Sequence, residues 1–80
     1  MVKKEKLLSK AQNNPGGLSF GDFETLLTQC GWAKHRQEGS HRIWKSPAGF
    51  RLPIQNRKGK AKGYQVRQFL AQYDKEPKHD

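Results

Sequence analysis

The sequence predicts an α+β domain in which three antiparallel strands are packed by two helices, in the order α-β-β-β-α. Three observations lead to this fold class. A helical apolar pattern covers residues 18 to 31, short strand-like segments separated by turns fill residues 32 to 55, and a second helical pattern follows at residues 64 to 73. The length of 80 residues fits one domain and leaves little room for a second.

The first predicted helix runs from Ser19 to Cys30. Ser19 is a favourable N-cap, and Asp22 stands three residues later, where a side chain can reach back to the cap. Gly31 follows as the expected C-terminal stop. Apolar residues recur at spacings of three and four and therefore share one face of this helix: Phe20, Phe23, Leu26, Leu27 and Cys30.

Three strand candidates come next: Trp32 to Gln37, Ser40 to Lys45, and Phe50 to Gln55. Glu38-Gly39 and the segment from Ser46 to Gly49 are the predicted turns. The third strand alternates apolar with polar residues, which predicts one buried face. Because Pro53 has no N–H to donate, this strand is predicted to lie at a sheet edge or to be irregular there.

A basic loop, Asn56 to Gly63, leads to the second predicted helix, Tyr64 to Tyr73. The apolar face of that helix consists of Val66, Phe69, Leu70 and Tyr73. Residues 1 to 17 are interpreted as a leader, either a short accessory helix or a frayed arm, and residues 74 to 80 as a polar tail. The predicted domain therefore comprises residues 18 to 73.

The charge of the chain is unevenly distributed. The net charge is +9, and residues 32 to 70 hold ten Lys and Arg with a single acid, Glu38. Such a region, with Trp44 and Tyr64 among its bases, is typical of a phosphate-binding surface. A solvated face that only keeps the protein soluble is the alternative. Membrane binding is disfavoured, because no basic stretch has a strongly apolar face.

The single cysteine, Cys30, excludes an internal disulfide and four-cysteine zinc sites, and it suits a reducing compartment. No signal peptide and no apolar run long enough for a transmembrane span is found in the sequence. The cytoplasm is therefore the expected location.

Among possible catalytic groups, a metal site is improbable in the basic region, which has one carboxylate. Cys30 lies on an apolar helix face and is interpreted as a core thiol. Of the three histidines, His79 lies in the tail and His35 is interpreted as a surface residue. His41 follows Gly39-Ser40 and has basic neighbours. A histidine can transfer protons near neutral pH, and RNA supplies its own nucleophile, the 2′-hydroxyl.

Residues 36 to 44, RQEGSHRIW, resemble the "RQKGSHxIY" stretch of the HicA toxins. The preceding segment, Phe20 to Trp32, resembles the "LLxxxGF" segment of that family, and Lys60 to Leu70 is similar to its closing helix. The resemblance covers residues 18 to 73. The Gly-Ser-His core is short, but the segments on both sides make the match fairly specific.

The resemblance implies a fold like that of double-stranded RNA-binding domains and metal-independent cleavage of mRNA, without a cofactor, by the histidine of the Gly-Ser-His motif. It also implies a HicB-type antitoxin that covers this histidine. By position, His41 is the catalytic residue and Gly39 and Ser40 shape its loop. Many members have a second histidine after the third strand, where this chain has Gln55 and Asn56. If that histidine assists the chemistry in other members, this chain is expected either to use another group, such as Lys45 or Lys62, or to be slower.

Six basic residues are predicted to bind RNA: Arg36, Arg42, Lys45, Lys58, Lys60 and Lys62. Two alternatives stay open, a non-catalytic RNA-binding module on the same fold and an interaction protein with an acidic partner. The alternation along the second strand also leaves one question. His41 and Ile43 share one side, Arg42 and Trp44 share the other, and each pair contains an apolar residue, so the pattern does not tell which side is buried.

Overall fold

The computed structural model describes residues 4–76. In this range the helices are α1 (Lys4–Asn13), α2 (Phe20–Gln29) and α3 (Gly63–Lys75), with a short 3-10 helix at Pro15–Gly17 between the first two. The strands are β1 (Ala33–Glu38), β2 (His41–Lys45), β3 (Arg51–Arg57) and β4 (Lys60–Ala61). The predicted α+β class is confirmed, with four antiparallel strands in place of three. None of the described helices is long and apolar enough to cross a bilayer.

Helix α2 begins as the sequence predicted. The Ser19 hydroxyl accepts a hydrogen bond from the Asp22 N–H at 3.1 Å, which satisfies one of the free donors of the first turn. Gly31 follows the helix with φ of +85°, a conformation that favours glycine. The predicted apolar face is buried, and Cys30 packs at its edge.

Helix α3 lies against the same core and places Phe69 at its centre. The centroid of the Phe69 ring lies 5.9 Å from that of Phe23 in α2 and 5.3 Å from that of Trp32, and both pairs of rings meet edge to face. Val66 is buried beside it, and Tyr73 packs on the core margin. Aromatic rings bury large areas, so this cluster gives a short chain much of its apolar burial. Helix α3 continues two residues beyond the predicted end, to Lys75.

The sheet has the order β1-β2-β3-β4, and all neighbours are antiparallel. The fourth strand lies in the segment predicted as a basic loop, which is instead a tight hairpin. Lys58 and Gly59, at its tip, both have positive φ, and the Asn56 side chain accepts a hydrogen bond from the Gly59 N–H at 2.8 Å. This turn chemistry folds the segment back on β3.

The position of Pro53 differs from the prediction of an edge strand, because β3 has a strand on each side. However, β4 pairs only with Asn56 and Arg57, at the far end of β3. The N–H of Gln55 points to the side that β4 leaves open and is bonded to the Gln65 side chain at 2.9 Å. Residues two apart in a strand direct their N–H groups to the same side, so the N–H that Pro53 lacks would also point away from β2. Pro53 therefore removes no hydrogen bond with β2.

The leader, for which a helix and a frayed arm were both open, forms helix α1. Leu7 and Ala11 of α1 are buried in the core, and Lys10 forms an ion pair with Asp22 of α2. Predictions that concern residues 1–3 and the tail residues 77–80, including His79, lie outside the described part of the chain.

Candidate functional site

The two faces of the sheet differ in burial, and this difference answers the question left open by the alternation along β2. Trp44 is 5% exposed and packs in the core, whereas His41 is exposed. The face of β1–β3 that carries Trp44, Leu52 and Ile54 is therefore the inner face. His41 lies on the opposite, outer face, away from the helices.

The β1–β2 hairpin sets the position of His41. Strand β1 extends through Glu38, so the turn consists of Gly39 and Ser40, one residue later than predicted. Gly39 has φ of +60°, and a positive φ at the first residue of a two-residue turn is what a type II′ turn requires. The turn therefore depends on the glycine, and it places Glu38 and His41 directly opposite each other.

His41 lies between Glu38 of β1 and Gln55 of β3, its partners in the register. The Glu38 carboxylate forms an ion pair with Arg36 on the same strand. The Gln55 side chain donates a hydrogen bond to the Ser40 hydroxyl at 3.4 Å, so Ser40 links the turn to β3. The imidazole thus has a carboxylate and an amide as its strand neighbours, and it is open to solvent.

Two arginines occupy the positions diagonal to His41. Arg36 is opposite Ile43 on one side, and Arg57 is two residues beyond Gln55 on the other. Such diagonal positions are roughly 7–8 Å apart between Cα atoms, within reach of a long side chain. Lys45 shares the outer face, but it is four residues from His41, roughly 13 Å along the strand. The structure therefore does not bring Lys45 beside the histidine.

Arg42, predicted to bind RNA, is on the inner face. Its guanidinium forms an ion pair with Glu24 of α2 and lies 5.1 Å from the centroid of the Phe20 ring. The side chains of Arg42 and Glu24 are 29% and 20% exposed. This arginine joins the sheet to α2 and does not share the surface of His41.

The other predicted RNA-binding residues gather at the β3–β4 hairpin. Lys58 is at its tip, Lys60 is in β4, and Lys62 directly precedes α3. Arg57 and Tyr64 join these three lysines around one open pocket. The other histidine of the described residues, His35, is exposed at a bulge in β1, where the register shifts between Lys34 and Arg36. Nowhere in residues 4–76 do three His, Cys, Asp or Glu side chains gather as metal ligands would.

Comparison with known families gives one match. A family model described as "HicA toxin of bacterial toxin-antitoxin" matches residues 20–74, which include α2, the whole sheet and nearly all of α3. The chain belongs to the HicA toxin family. No curated protein and no solved structure gave a significant match. Membership of the HicA family makes the chain a toxin of a toxin–antitoxin system. The matched region includes the Gly39-Ser40-His41 turn and does not include α1.

Two outer-face cations of this HicA family member were not among the predicted RNA-binding residues. Arg51 is opposite Lys45 in the β2–β3 pairing, and Arg57 lines the hairpin pocket. The alternation of β3 could have identified Arg51, because it shares the polar side of that strand with Gln55. Arg57 had no such signal, since its segment was interpreted as a loop.

Proposed function

We propose that this HicA family member is a metal-independent mRNA endoribonuclease that uses His41 for proton transfer. The observation that carries the proposal is the exposed position of His41 on the outer face, in the part of the chain richest in uncompensated cations. A buried His41 could not reach a phosphodiester. An exposed one in positive surroundings can receive a polyanion and act on it.

The reaction follows from RNA chemistry. His41 accepts the proton of a ribose 2′-hydroxyl, whose oxygen attacks the adjacent phosphorus as the bond from phosphorus to the 5′-oxygen breaks. The leaving 5′-oxygen takes a proton from solvent water, and His41 returns to the solvent the proton that it accepted. The products are a 2′,3′-cyclic phosphate and a 5′-hydroxyl. Arg57, and Arg36 when it is released from Glu38, stabilise the charge that develops on the phosphate oxygens. Arginine thus supplies the assistance that was first expected from Lys45 or Lys62.

Gly39 and Ser40 support the site through the turn and its bond to Gln55. Arg42 has a structural role in this proposal, because its guanidinium is bonded to Glu24 on the inner face. The proposed RNA contacts are therefore the exposed and half-buried cations of the outer face and the hairpin: Arg36, Lys45, Arg51, Arg57, Lys58, Lys60 and Lys62.

The proposed partner is a HicB-type antitoxin that covers His41 and so blocks access of mRNA. The outer face is rich in cations, so the covering surface should be acidic. The toxin would act in the cytoplasm, where its mRNA substrate is found, with no cofactor and no membrane contact.

The deciding experiment compares His41→Ala with His35→Ala, since both histidines are exposed and lie on neighbouring strands. Purified proteins are incubated with mRNA in EDTA, and the products are examined for cyclic phosphate ends. We expect His41→Ala to lose about 10²–10⁴-fold in cleavage rate and to stop arresting growth, with RNA binding within a fewfold of wild type. His35→Ala should behave as wild type.

Undiminished cleavage by His41→Ala would contradict the assignment of the catalytic residue. Tight RNA binding by the wild-type protein without any products would favour a non-catalytic RNA-binding module instead. Thermal unfolding of both variants checks that the comparison is between folded proteins, since neither side chain is part of the core.

A further inference from the structure

An open pocket of about 620 Å³ lies where the β3–β4 hairpin meets the start of α3. Its wall comprises Arg57, Lys58, Lys60 and Lys62, with Tyr64 at one side. The volume is in the range of pockets that take small organic ligands, which leaves room for a nucleotide. No acidic residue lines this pocket.

The four cations of the pocket are electrostatically uncompensated within residues 4–76. The ion pairs described there involve Lys10, Arg36 and Arg42, and none includes a cation of the pocket. The tip lysine, Lys58, has φ of +52°, although such positions favour Gly or Asn. Lysine is therefore present at the tip although its backbone conformation there is less favourable than it would be for glycine.

Tyr64 gives the pocket an aromatic wall. Its side chain is 54% exposed, whereas most aromatic residues of the described chain lie in the core. The Gln65 side chain donates a hydrogen bond to the Tyr64 hydroxyl at 3.4 Å, and the Lys62 ammonium is 5.9 Å from the ring centroid. Gln65 thus holds the ring at its hydroxyl edge and the Lys62 ammonium lies over one face, while the residue as a whole remains accessible to a ligand.

We infer that this pocket binds an unpaired nucleotide of the RNA, with its base stacked on Tyr64 and its phosphates bound by the surrounding cations. This inference rests on the proposed function and names its substrate class as single-stranded RNA. In a duplex each base face is covered by the next base pair, so a protein ring can stack only on a base that is unpaired or splayed out. A site for duplex backbone alone needs cations and no exposed ring.

The pocket is close to the proposed cleavage site. Arg57, in its wall, is two residues along β3 from Gln55, the strand partner of His41. Two residues of an antiparallel strand span roughly 7 Å. A strand of RNA held in the pocket can therefore extend directly past His41.

The test measures equilibrium binding of a single-stranded RNA and of a fully paired, blunt-ended RNA duplex of matched length, both in EDTA with each protein in the His41→Ala background. The variants are Tyr64→Ala, Tyr64→Phe and Phe50→Ala. Phe50 is the control for loss of an exposed ring, being 39% exposed and outside the pocket. Because cleavage is not the readout, the inference can fail or hold independently of the proposed nuclease activity.

We expect Tyr64→Ala to weaken binding of single-stranded RNA by about 5- to 150-fold, the range typical of one base stacked on an aromatic ring. Tyr64→Phe and Phe50→Ala should bind as the parent does, and binding of the blunt-ended duplex should not change. The slope of log Kd against log salt should stay constant in Tyr64→Ala, because stacking releases no counterions. Unchanged single-strand affinity of Tyr64→Ala, or an equal loss for both RNAs, would overturn the inference.

Discussion

The hydrogen bond between the Gln65 side chain and the Gln55 backbone allows a test of what holds β3 in place beside His41. Gln65 is 4% exposed, and its side-chain oxygen accepts the Gln55 N–H at 2.9 Å on the side of β3 that has no neighbouring strand there. Methionine matches glutamine in length and lacks the acceptor. Gln65→Met therefore removes this hydrogen bond, together with the longer one that the Gln65 amide donates to the Tyr64 hydroxyl at 3.4 Å, and leaves the packing volume nearly unchanged.

The expected cost follows from the burial of the two groups. A buried donor left without an acceptor costs about 1–3 kcal/mol. Gln55 is only half-buried, and water can partly replace the acceptor, so the lower part of this range, about 1–2 kcal/mol, is expected. In a domain of this size each kcal/mol lowers Tm by about 4–8 °C, so Tm should fall by roughly 5–15 °C.

The assay is thermal unfolding followed by circular dichroism, with Gln68→Met as the matched control, since Gln68 is exposed on the same helix. Amide hydrogen exchange should accelerate at Gln55 more than at the other residues of β3. Because Gln55 is the strand partner of His41, cleavage should fall as well. A Tm of Gln65→Met equal to that of Gln68→Met would refute this reasoning.

Two further predictions separate structural from RNA-binding cations. Arg42→Met leaves the Glu24 carboxylate without its partner and should cost about 1–3 kcal/mol in urea unfolding, below the range for fully buried pairs, since both side chains are 20–29% exposed. Its RNA affinity should change less than twofold, and adding Glu24→Gln should restore part of the stability. Lys58→Gly relieves a positive φ, so its stability should equal or exceed that of wild type by up to about 1 kcal/mol. For RNA binding by this variant, the slope of log Kd against log salt should be smaller by about one. An unchanged slope would exclude a phosphate contact by Lys58.

The helices could be predicted from the sequence because their signals are local. The Ser19 cap, the Gly31 stop and the spacing of Phe20, Phe23 and Leu26 each act within one or two turns. A turn before His41 was also predicted, at Glu38-Gly39, one residue before the turn that the structure shows. These features depend on neighbours in the chain, and the structure confirms them with shifts of one or two residues.

The alternation of β3 predicted its buried face, but the inner face of β2 could not be predicted, because it depends on contacts between distant residues. Arg42 faces inward because Glu24, 18 residues earlier, neutralises it. The contact with Glu24 is not visible in the sequence, where an arginine beside His41 cannot be distinguished from a surface cation. Similarly, β4 exists because it pairs with the end of β3 and not because of its own two residues, which have low strand propensity. The grouping of Arg57 with Tyr64 depends on that pairing as well.

The two tryptophans have a practical consequence for experiments on this protein. Trp32 and Trp44 are both buried in the core, and neither is among the proposed RNA contacts. Their intrinsic fluorescence should therefore respond to loss of core packing and change little when the outer face or the hairpin is occupied. Folding can then be followed by tryptophan fluorescence while RNA is bound to the outer face.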